Sequence, residues 1–325
     1  MMFFAKINKI YNNIHINMCQ KFLILFLVAF IFPGIKLVSQ DLDIAEREDS
    51  LRFYFESISR EKNDSVKIRY NNEIIRIFEE VLVCPETFIY PFDSVKYLGK
   101  LSSPDNAFRM FNWNIPMNDR TNRYFCILQS SKKYNDSLII FKFRDKSADI
   151  NEPMVAMLNG NNWYGALYYK IIANKERKFT TYTLLGINFN DEFSNKKIIE
   201  TLTFGKAGIP EFNAAQIVVG KDRYRRLIFE YSEKAVMTMK YEEALKMIVF
   251  DHLYPMQSKY KGDYKYYVPD VTNDALYYKE GKWYFVEKID PSNPAQNWSA
   301  KRREYIKSRK EAIVNEKRKN SVFNE

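Results

Sequence analysis

Glycine and proline are scarce in this chain of 325 residues. It has 10 glycines, about 3% against a usual content near 7%, and only 11 prolines. These low contents exclude collagen-like and low-complexity proteins. Apolar residues make up 46% of the chain and aromatic residues 16%, which is enough to bury a sizeable core. Aromatic residues also favour strands, and the length allows one large domain or two ordinary ones.

Long apolar runs are also missing, with one exception near the N-terminus. Phe22–Phe32 is uninterrupted but too short for a membrane-spanning helix, which needs about 20 apolar residues. Because it follows lysines and no acidic residue precedes Asp41, we expect residues 1–39 to be a signal peptide cleaved after Ser39. Translation from Met18 would give a signal of ordinary length, and retention as a membrane anchor is the alternative. We therefore expect an exported protein, periplasmic or secreted.

The net charge of +10 comes mainly from the two ends of the chain. Residues 1–39 hold four basic residues and no acidic one, and residues 299–325 hold nine basic and four acidic residues, or +5. The remaining 37 basic and 36 acidic residues leave +1 for residues 40–298. Nucleic-acid binders carry a basic face on the fold, so this distribution argues against one. Residues 299–325 are predicted to form a basic helical tail, either solvated or in weak electrostatic contact with an acidic partner or an anionic surface.

Only two cysteines follow the predicted signal peptide, Cys84 and Cys126. In an oxidising compartment they can form one disulfide. The alternative is two free, buried thiols that act as small apolar residues. Neither cysteine has the CxxC spacing, so redox chemistry is not expected.

Two amphipathic helices are predicted over residues 40–85 as a helical hairpin with a turn near Glu61–Asn63. Asp64 or Ser65 is expected to cap the second helix, and Cys84-Pro85 to end it. The two apolar stripes at helical spacing are Leu51, Tyr54, Phe55 and Ile58, then Val66, Tyr70, Ile74, Ile77, Phe78 and Val81.

From residue 86 to residue 298 the apolar period changes to two, which predicts strands. The clearest hairpin is Ala275–Glu287, where a turn at Glu280-Gly281 sets Tyr278 opposite Trp283. We predict an antiparallel β-meander closed as a barrel or packed as a sandwich, with a propeller as a further alternative. The other paired runs are Arg123–Leu128 with Ser137–Phe143, Tyr164–Ile172 with Phe179–Ile187, and Arg226–Tyr231 with Ala235–Lys240.

Motifs for nucleotide, metal and hydrolase chemistry are absent. The chain has no G-x-G-x-x-G, no complete P-loop and no G-x-S-x-G. Its two histidines are His15, inside the predicted signal peptide, and His252. One remaining histidine excludes HExxH and any multi-histidine zinc site. The sequence therefore predicts no cofactor and no metal, and it assigns no catalytic or binding residue.

The remaining catalytic candidates are His252 and a set of acids. His252 is expected to be structural, since catalysis would need a nucleophile and an orienting acid nearby. A pair of acids at a set separation is sufficient for glycoside hydrolysis. The acids in suitable positions are Asp251, Asp263, Asp270, Asp274 and Glu211.

Two further groups are candidates for binding. One is a set of oxygen ligands suited to Ca²⁺, although turn chemistry is the favoured interpretation because the ordered calcium-loop spacing is absent. The other is a pair of tryptophans, Trp113 and Trp298, in loop-like stretches, whereas Trp163 and Trp283 are expected in the core. The oxygen ligands are Asp263, Asp270, Asn273 and Asp274.

Several segments resemble those of an uncharacterised family of exported proteins of Bacteroidota-type bacteria. They are Met110–Pro116, Trp163–Tyr169, Val249–Pro255 and Tyr266–Asp290, together with the Ser39-Gln40-Asp41 junction. The family has no assigned activity, so the resemblance implies an exported compartment and a common fold but no mechanism and no site residues. The tail does not look like the β-rich C-terminal sorting domain that some of these bacteria use, which favours the periplasm over the cell surface.

These observations predict a mainly β fold with an N-terminal helical hairpin and a basic C-terminal helix. The expected function is a non-enzymatic binding or scaffold protein of the cell envelope, with an unknown envelope partner or glycan as ligand. The alternative is a hydrolase that acts on envelope glycans through a carboxylate pair. A deep cleft with two close acids would favour the hydrolase.

Overall fold

The computed structural model of the protein describes residues 43–131, 138–177 and 179–289. The predicted signal peptide (1–39), the basic tail (299–325) and Trp298 lie outside these residues. Within the described ranges, no helix has the length and apolar character that crossing a membrane requires.

The two helices form as predicted, as α1 (Ile44–Arg60) and α2 (Asp64–Val81). In α1 the stripe residues Leu51, Phe55 and Ile58 are buried, as expected, whereas Tyr54 is half-buried. The cap of α2 is Asn63 rather than Asp64 or Ser65. The Asn63 side chain accepts hydrogen bonds from the backbone N–H groups of Ser65 and Val66, which is the usual role of an asparagine at a helix start.

The buried face of α2 differs from its apolar stripe in the first half of the helix. Lys67 and Asn71 are buried there, whereas Val66 and Tyr70 are partly exposed. Each of the two polar side chains has partners that offset the cost of burial. Lys67 Nζ donates to the Pro116 carbonyl at 2.7 Å, and Asn71 Oδ1 accepts from the indole N–H of Trp113 at 2.8 Å.

The first sheet is an antiparallel meander on which the helical hairpin packs. Trp113 and Phe111 of its second strand contact Phe55 of α1 and Phe78 of α2. The predicted loop position of Trp113 is wrong, since it lies in a strand and is 2% exposed. In spatial order the strands are β1 (Gly99–Ser102), β2 (Phe108–Pro116), β3 (Asn122–Ser130) and β4 (Ile139–Arg144).

The second sheet is antiparallel and buried on both faces. Its order is β5-β9-β8-β7-β6, and β12 pairs with β8. The predicted hairpin of Tyr164–Ile172 with Phe179–Ile187 is confirmed as β6 and β7. The bounds are β5 (Leu158–Asn159), β6 (Leu167–Lys175), β7 (Thr180–Asn188), β8 (Ser194–Phe204), β9 (Pro210–Phe212) and β12 (Arg226–Ser232).

The third sheet has the order β11-β10-β16-β15-β14-β13, with one parallel pair, β10 and β16. The predicted turn is confirmed, because Glu280 (φ 49°) and Gly281 (φ 75°) both have positive φ and Tyr278 pairs with Trp283. The bounds are β10 (Ile217–Val219), β11 (Asp222–Tyr224), β13 (Met239–Glu242), β14 (Met247–Pro255), β15 (Tyr267–Lys279) and β16 (Lys282–Ile289).

One predicted pairing is wrong. Arg226–Tyr231 and Ala235–Lys240 do not form a hairpin, because β12 pairs with β8 in the second sheet and β13 pairs with β14 in the third. The connection crosses from one sheet to the other. Tyr231, Met237 and Met239 lie in the core between these two sheets, so burial of these side chains offers a reason for the crossing.

The described residues from Ile44 onward form four stacked layers: the helical hairpin, the first sheet, the second sheet and the third sheet. One apolar core joins the first and second sheets, and another joins the second and third. None of the three described sheets closes on itself, so the barrel alternative is wrong and the packing is that of stacked antiparallel sheets.

Cys84 and Cys126 are both free, as in the second alternative, but only Cys126 is buried and Cys84 is partly exposed. Cys126 lies in β3 within the core between the first two sheets. Burial raises the pKa of its thiol well above the usual value. A thiol in such surroundings is an apolar packing group rather than a nucleophile.

Candidate functional site

Several sequence candidates come together on β14 and β15. His252 Nδ1 lies 2.7 Å from Asp274 Oδ2, and Asp274 Oδ1 accepts from the Lys288 backbone N–H. Both residues lie at β-bulges. Among the described residues, no hydroxyl or thiol is hydrogen-bonded to the His252 ring, so the pair lacks the nucleophile that a catalytic constellation requires.

The neighbouring acids are engaged within the protein, Asp251 across strands and Asp270 locally. Asp251 accepts from the Thr238 backbone N–H at 2.7 Å and from the Asn273 side-chain amide at 3.1 Å. Asp270 accepts from the hydroxyl and backbone N–H of Thr272, and these bonds lower its pKa. This is the turn chemistry that the sequence favoured over Ca²⁺.

The remaining acids are dispersed. Asp263 is on the surface and pairs with Lys265, and Glu211 lies in β9 of the second sheet. In the described ranges, no group of three or more His, Cys, Asp and Glu side chains is arranged to hold a metal ion. The structure therefore does not unite the five acids into one site.

A cavity of about 690 Å³ lies where the helical hairpin meets the first and second sheets. We call it the hairpin cavity. Its volume is in the range of small-molecule sites. Most of its wall is apolar, and these apolar side chains are Phe55, Ile58, Leu98, Trp113, Ile115, Leu167 and Ile187.

The central polar group of the hairpin cavity is Asn112, which is 1% exposed. Its Nδ2 makes one long contact of 3.4 Å with the Gly99 carbonyl, and its Oδ1 accepts no hydrogen bond. Gly99 stands opposite Asn112 in the register, and a Cβ there would lie 2.9 Å from the Asn112 amide. A buried acceptor without a donor costs about 1–3 kcal/mol, so this side chain calls for an explanation.

Two charged residues line the hairpin cavity, Glu61 and Lys67, and the Glu61 carboxylate accepts from the backbone N–H groups of Lys62 and Asn63. The Lys67 ammonium donates to the Pro116 carbonyl at 2.7 Å and to Asp64 Oδ1 at 3.1 Å. A backbone hydrogen bond from Asn118 and the Lys67 ammonium lower the pKa of Asp64. The charge of Lys67 is therefore compensated within the protein.

The mouth of the hairpin cavity carries backbone strain. Tyr97 lines the cavity, is 65% exposed and has a φ of 62°. This left-handed conformation costs a residue with a Cβ about 1–2 kcal/mol. Such strain is often found at ligand-binding segments.

Two smaller cavities, of about 580 and 540 Å³, lie at the side of the second sheet and share Tyr164 and Lys196 in their walls. The first is also lined by Tyr224 of the third sheet, and the second by residues 122–124 of the first sheet. We call their combined surface the Tyr164 groove. Glu230 lines one part and Asp145 the other. Lys196 donates to Asn190 Oδ1 at 2.7 Å and lies 3.7 Å from Glu230.

Tyr164 is 5% exposed, and no described residue forms a hydrogen bond with its hydroxyl. Burial, followed by the Glu230 and Asp145 carboxylates, raises its pKa to about 12. The hydroxyl is therefore a proton donor at neutral pH. Glu230 accepts from the Ser194 hydroxyl at 2.7 Å, and Asp145 accepts from the Gly165 N–H at 3.2 Å.

A different arrangement lies inside the second sheet, where Glu200 and Arg226 form an ion pair at 2.7 Å with both side chains fully buried. Tyr168 donates its hydroxyl proton to Glu200 and accepts from the Trp163 indole N–H. Arg226 also donates to the Ala156 carbonyl at 3.1 Å. We call these four side chains the ion-pair network. Because each has a partner, the network is structural.

Reasoning from the sequence singled out Trp113, which lines the hairpin cavity, but it missed Asn112 and the whole Tyr164 groove. Asn112 and Tyr164 stand in apolar runs that also contain Trp113 and Trp163, and nothing in the runs distinguishes a side chain with a partner from one without. The one available signal was an asparagine inside a strand-like apolar run, a residue type that strands disfavour.

No family model, curated protein or solved structure matches the chain. The resemblance to exported Bacteroidota-type proteins therefore stays a prediction. Function has to be argued from the geometry of the two cavities, because a fold alone does not identify an activity.

Proposed function

We propose that the protein is a non-enzymatic binding protein of the cell envelope that holds a neutral amphipathic small molecule in the hairpin cavity. The observation that carries this proposal is the orphan Oδ1 of Asn112, buried in the wall of a cavity of about 690 Å³. This oxygen is closed to solvent, so a ligand that donates an N–H or O–H reaches it only after the Asn112 amide turns towards the cavity. The new hydrogen bond then removes the cost of the unsatisfied acceptor.

The residues that line the hairpin cavity indicate the polarity and charge of the rest of the ligand. Apolar side chains from α1, from the first sheet and from the second sheet face a single space, so the body of the ligand is apolar. Lys67 is already paired with Asp64, so a carboxylate on the ligand would compete with an existing partner. A neutral head group, such as an alcohol or an amide, fits this electrostatic arrangement better than an anion.

Placement in the envelope is supported by the sequence, through the predicted signal peptide at residues 1–39. The glycan hydrolase alternative has less support. Its five candidate acids belong to hydrogen bonds within the protein or separate surface positions, and none of them lines the hairpin cavity.

Binding can be tested with 1-octanol and its methyl ether, which share an apolar chain but differ in the O–H donor. We expect 1-octanol to bind the protein more tightly than the ether in calorimetric titrations, by about tenfold for one hydrogen bond. Asn112→Leu should abolish this preference. Asn213→Leu is the matched control, because Asn213 also has an orphan Oδ1 but does not line the cavity. Equal binding of the two probes by the native protein would contradict the proposal.

A further inference from the structure

The Tyr164 groove is separate from the hairpin cavity in its lining residues and its chemistry. We infer that this groove is a second binding site, for a neutral polyhydroxylated ligand such as an oligosaccharide. The inference does not depend on the proposed function, since no residue of the hairpin cavity contributes to it.

The first argument is the hydroxyl of Tyr164. This side chain is more than nine-tenths buried, but its hydroxyl, which hydrogen-bonds to no described residue, stays open to solvent on the side of the groove. It belongs to the walls of both cavities, so a ligand that occupies the groove lies beside it. A ligand hydroxyl would accept the proton that the protein leaves without a partner.

The second argument is the mixture of donors and acceptors along the groove. Glu230 and Asp145 present carboxylate oxygens, while Lys196 presents an ammonium that is only partly used. Sugar hydroxyls both donate and accept, so they can satisfy all three kinds of group. A ligand with only one kind of hydrogen-bonding group would leave part of the groove unsatisfied.

The third argument is charge. The lining contains five acidic residues and three basic residues, a balance of −2 at neutral pH. This excess disfavours phosphate, sulfate and acidic ligands by repulsion. Two of the three basic side chains already face carboxylates of the same lining, in the pairs Lys146–Asp149 and Lys196–Glu230, so the charge of the groove argues against anions alone.

The fourth argument is aromatic surface at one end of the groove. Tyr224 and Tyr264 line the cavity that contains Glu230, and Tyr264 is 52% exposed. Tyr264 packs against Tyr267 with ring centroids 4.9 Å apart, which limits its movement. A tyrosine ring offers an apolar face with a polar tip, and this suits the mixed apolar and hydroxyl surface of a sugar ring.

The experiment measures binding of three neutral trisaccharides, namely maltotriose, cellotriose and triacetylchitotriose, by calorimetry. At least one should bind, and Tyr164→Phe should weaken it about tenfold, since the substitution removes only the hydroxyl. Tyr231→Phe is the matched control, because Tyr231 is also buried but lies in the core between the second and third sheets. Circular dichroism and 1-octanol binding should be unchanged in both variants, which separates this test from that of the hairpin cavity.

Three results would overturn the inference. One is the absence of binding by every trisaccharide, and another is equal affinity of the native protein and Tyr164→Phe. The third is preferential binding of inorganic phosphate or spermidine, which would show that the groove selects charge rather than hydroxyl groups.

Discussion

The ion-pair network and the hairpin cavity both contain buried polar side chains, but they differ in whether those side chains have hydrogen-bond partners. In the network, Glu200 and Arg226 are fully buried and each has hydrogen-bond partners of its own. In the cavity, Asn112 is buried almost as completely, yet its Oδ1 has no donor. The two regions adjoin, since Tyr168 of the network also lines the cavity.

The difference separates structural from functional polar groups. A buried charge that is paired and hydrogen-bonded fixes one arrangement of strands, and the fold loses stability without it. A buried acceptor without a donor reduces stability as long as it stays empty, and it gains a partner only from outside the chain. Burial alone therefore does not identify a site. Asn112 is a candidate because it combines an orphan acceptor with a place in a cavity wall, whereas Asn213 has an orphan Oδ1 but does not line the hairpin cavity.

The largest effect is expected from the ion-pair network. Glu200→Gln keeps the shape of the side chain but leaves the Arg226 charge uncompensated. We expect the free energy of unfolding to fall by about 3–5 kcal/mol in urea titrations, as for other buried pairs that lose one partner. Arg52→Ala is the control, because it removes an exposed pair with Asp49 and should cost less than about 1 kcal/mol. Similar losses in the two variants would mean that the buried ion pair contributes no more to the free energy of unfolding than an exposed pair does.

The next effect concerns a satisfied asparagine close to the cavity. Asn71 accepts the Trp113 indole N–H at 2.8 Å, and Trp113 lines the hairpin cavity. Asn71→Leu should lower the free energy of unfolding by about 1–3 kcal/mol, because it leaves the indole N–H buried without an acceptor. Thermal or urea unfolding measures the change. No loss of stability would show that the indole finds another acceptor.

The orphan asparagine should respond in the opposite direction. Asn112→Leu removes a buried acceptor that has no donor, so we expect the free energy of unfolding to rise by about 1 kcal/mol. The same variant is expected to lose the preference for 1-octanol, so stability and binding would change in opposite senses. A decrease in stability would show that the amide contributes more to the fold through its Gly99 contact than it costs.

Local patterns in the sequence were sufficient to predict individual helices and turns of the fold. The stripe of α1 and the Glu280-Gly281 turn were predicted correctly, because each depends on residues within a few positions of one another. The sheet to which each strand belongs was not predictable in the same way. β12 and β13 are neighbours in the chain but pair in different sheets, since contacts distant in sequence decide their pairing.

The candidate sites lie further beyond the reach of the sequence. The sequence neighbours of Trp113 do not reveal whether it lies in a loop or in the core. Only the packing of α1 and α2 on the first sheet buries it. Asn112 has no donor for its Oδ1, and beside it the packed layers leave a gap, the hairpin cavity. Such a gap is a property of three packed layers, and no single segment encodes it.

The smallest effect tests a satisfied carboxylate in the same helical hairpin as the cavity. Glu48 is buried in α1 and accepts hydrogen bonds from the Tyr90 hydroxyl at 2.6 Å and the Ser94 N–H at 2.7 Å. Burial by itself would raise the pKa of Glu48, but these bonds outweigh it and lower the pKa below its usual value. Because the folded state has the lower pKa, Glu48 stabilises the fold above the unfolded pKa of about 4.3, and this contribution is lost as pH falls through the folded pKa.

We therefore expect Glu48→Gln to reduce the free energy of unfolding at pH 7 and to have a smaller effect near pH 3. Urea titrations of the native protein and the variant at both pH values measure the difference. Glu86→Gln is the control, since Glu86 is exposed and should give the same small change at both values. A Glu48→Gln effect that does not shrink at low pH would mean that the side chain acts through its shape rather than its charge. In that case the hydrogen bonds of the Glu48 carboxylate would not stabilise its charge. Glu200 and Arg226 would then be the remaining example of partnered buried charges to set against the unpartnered Asn112.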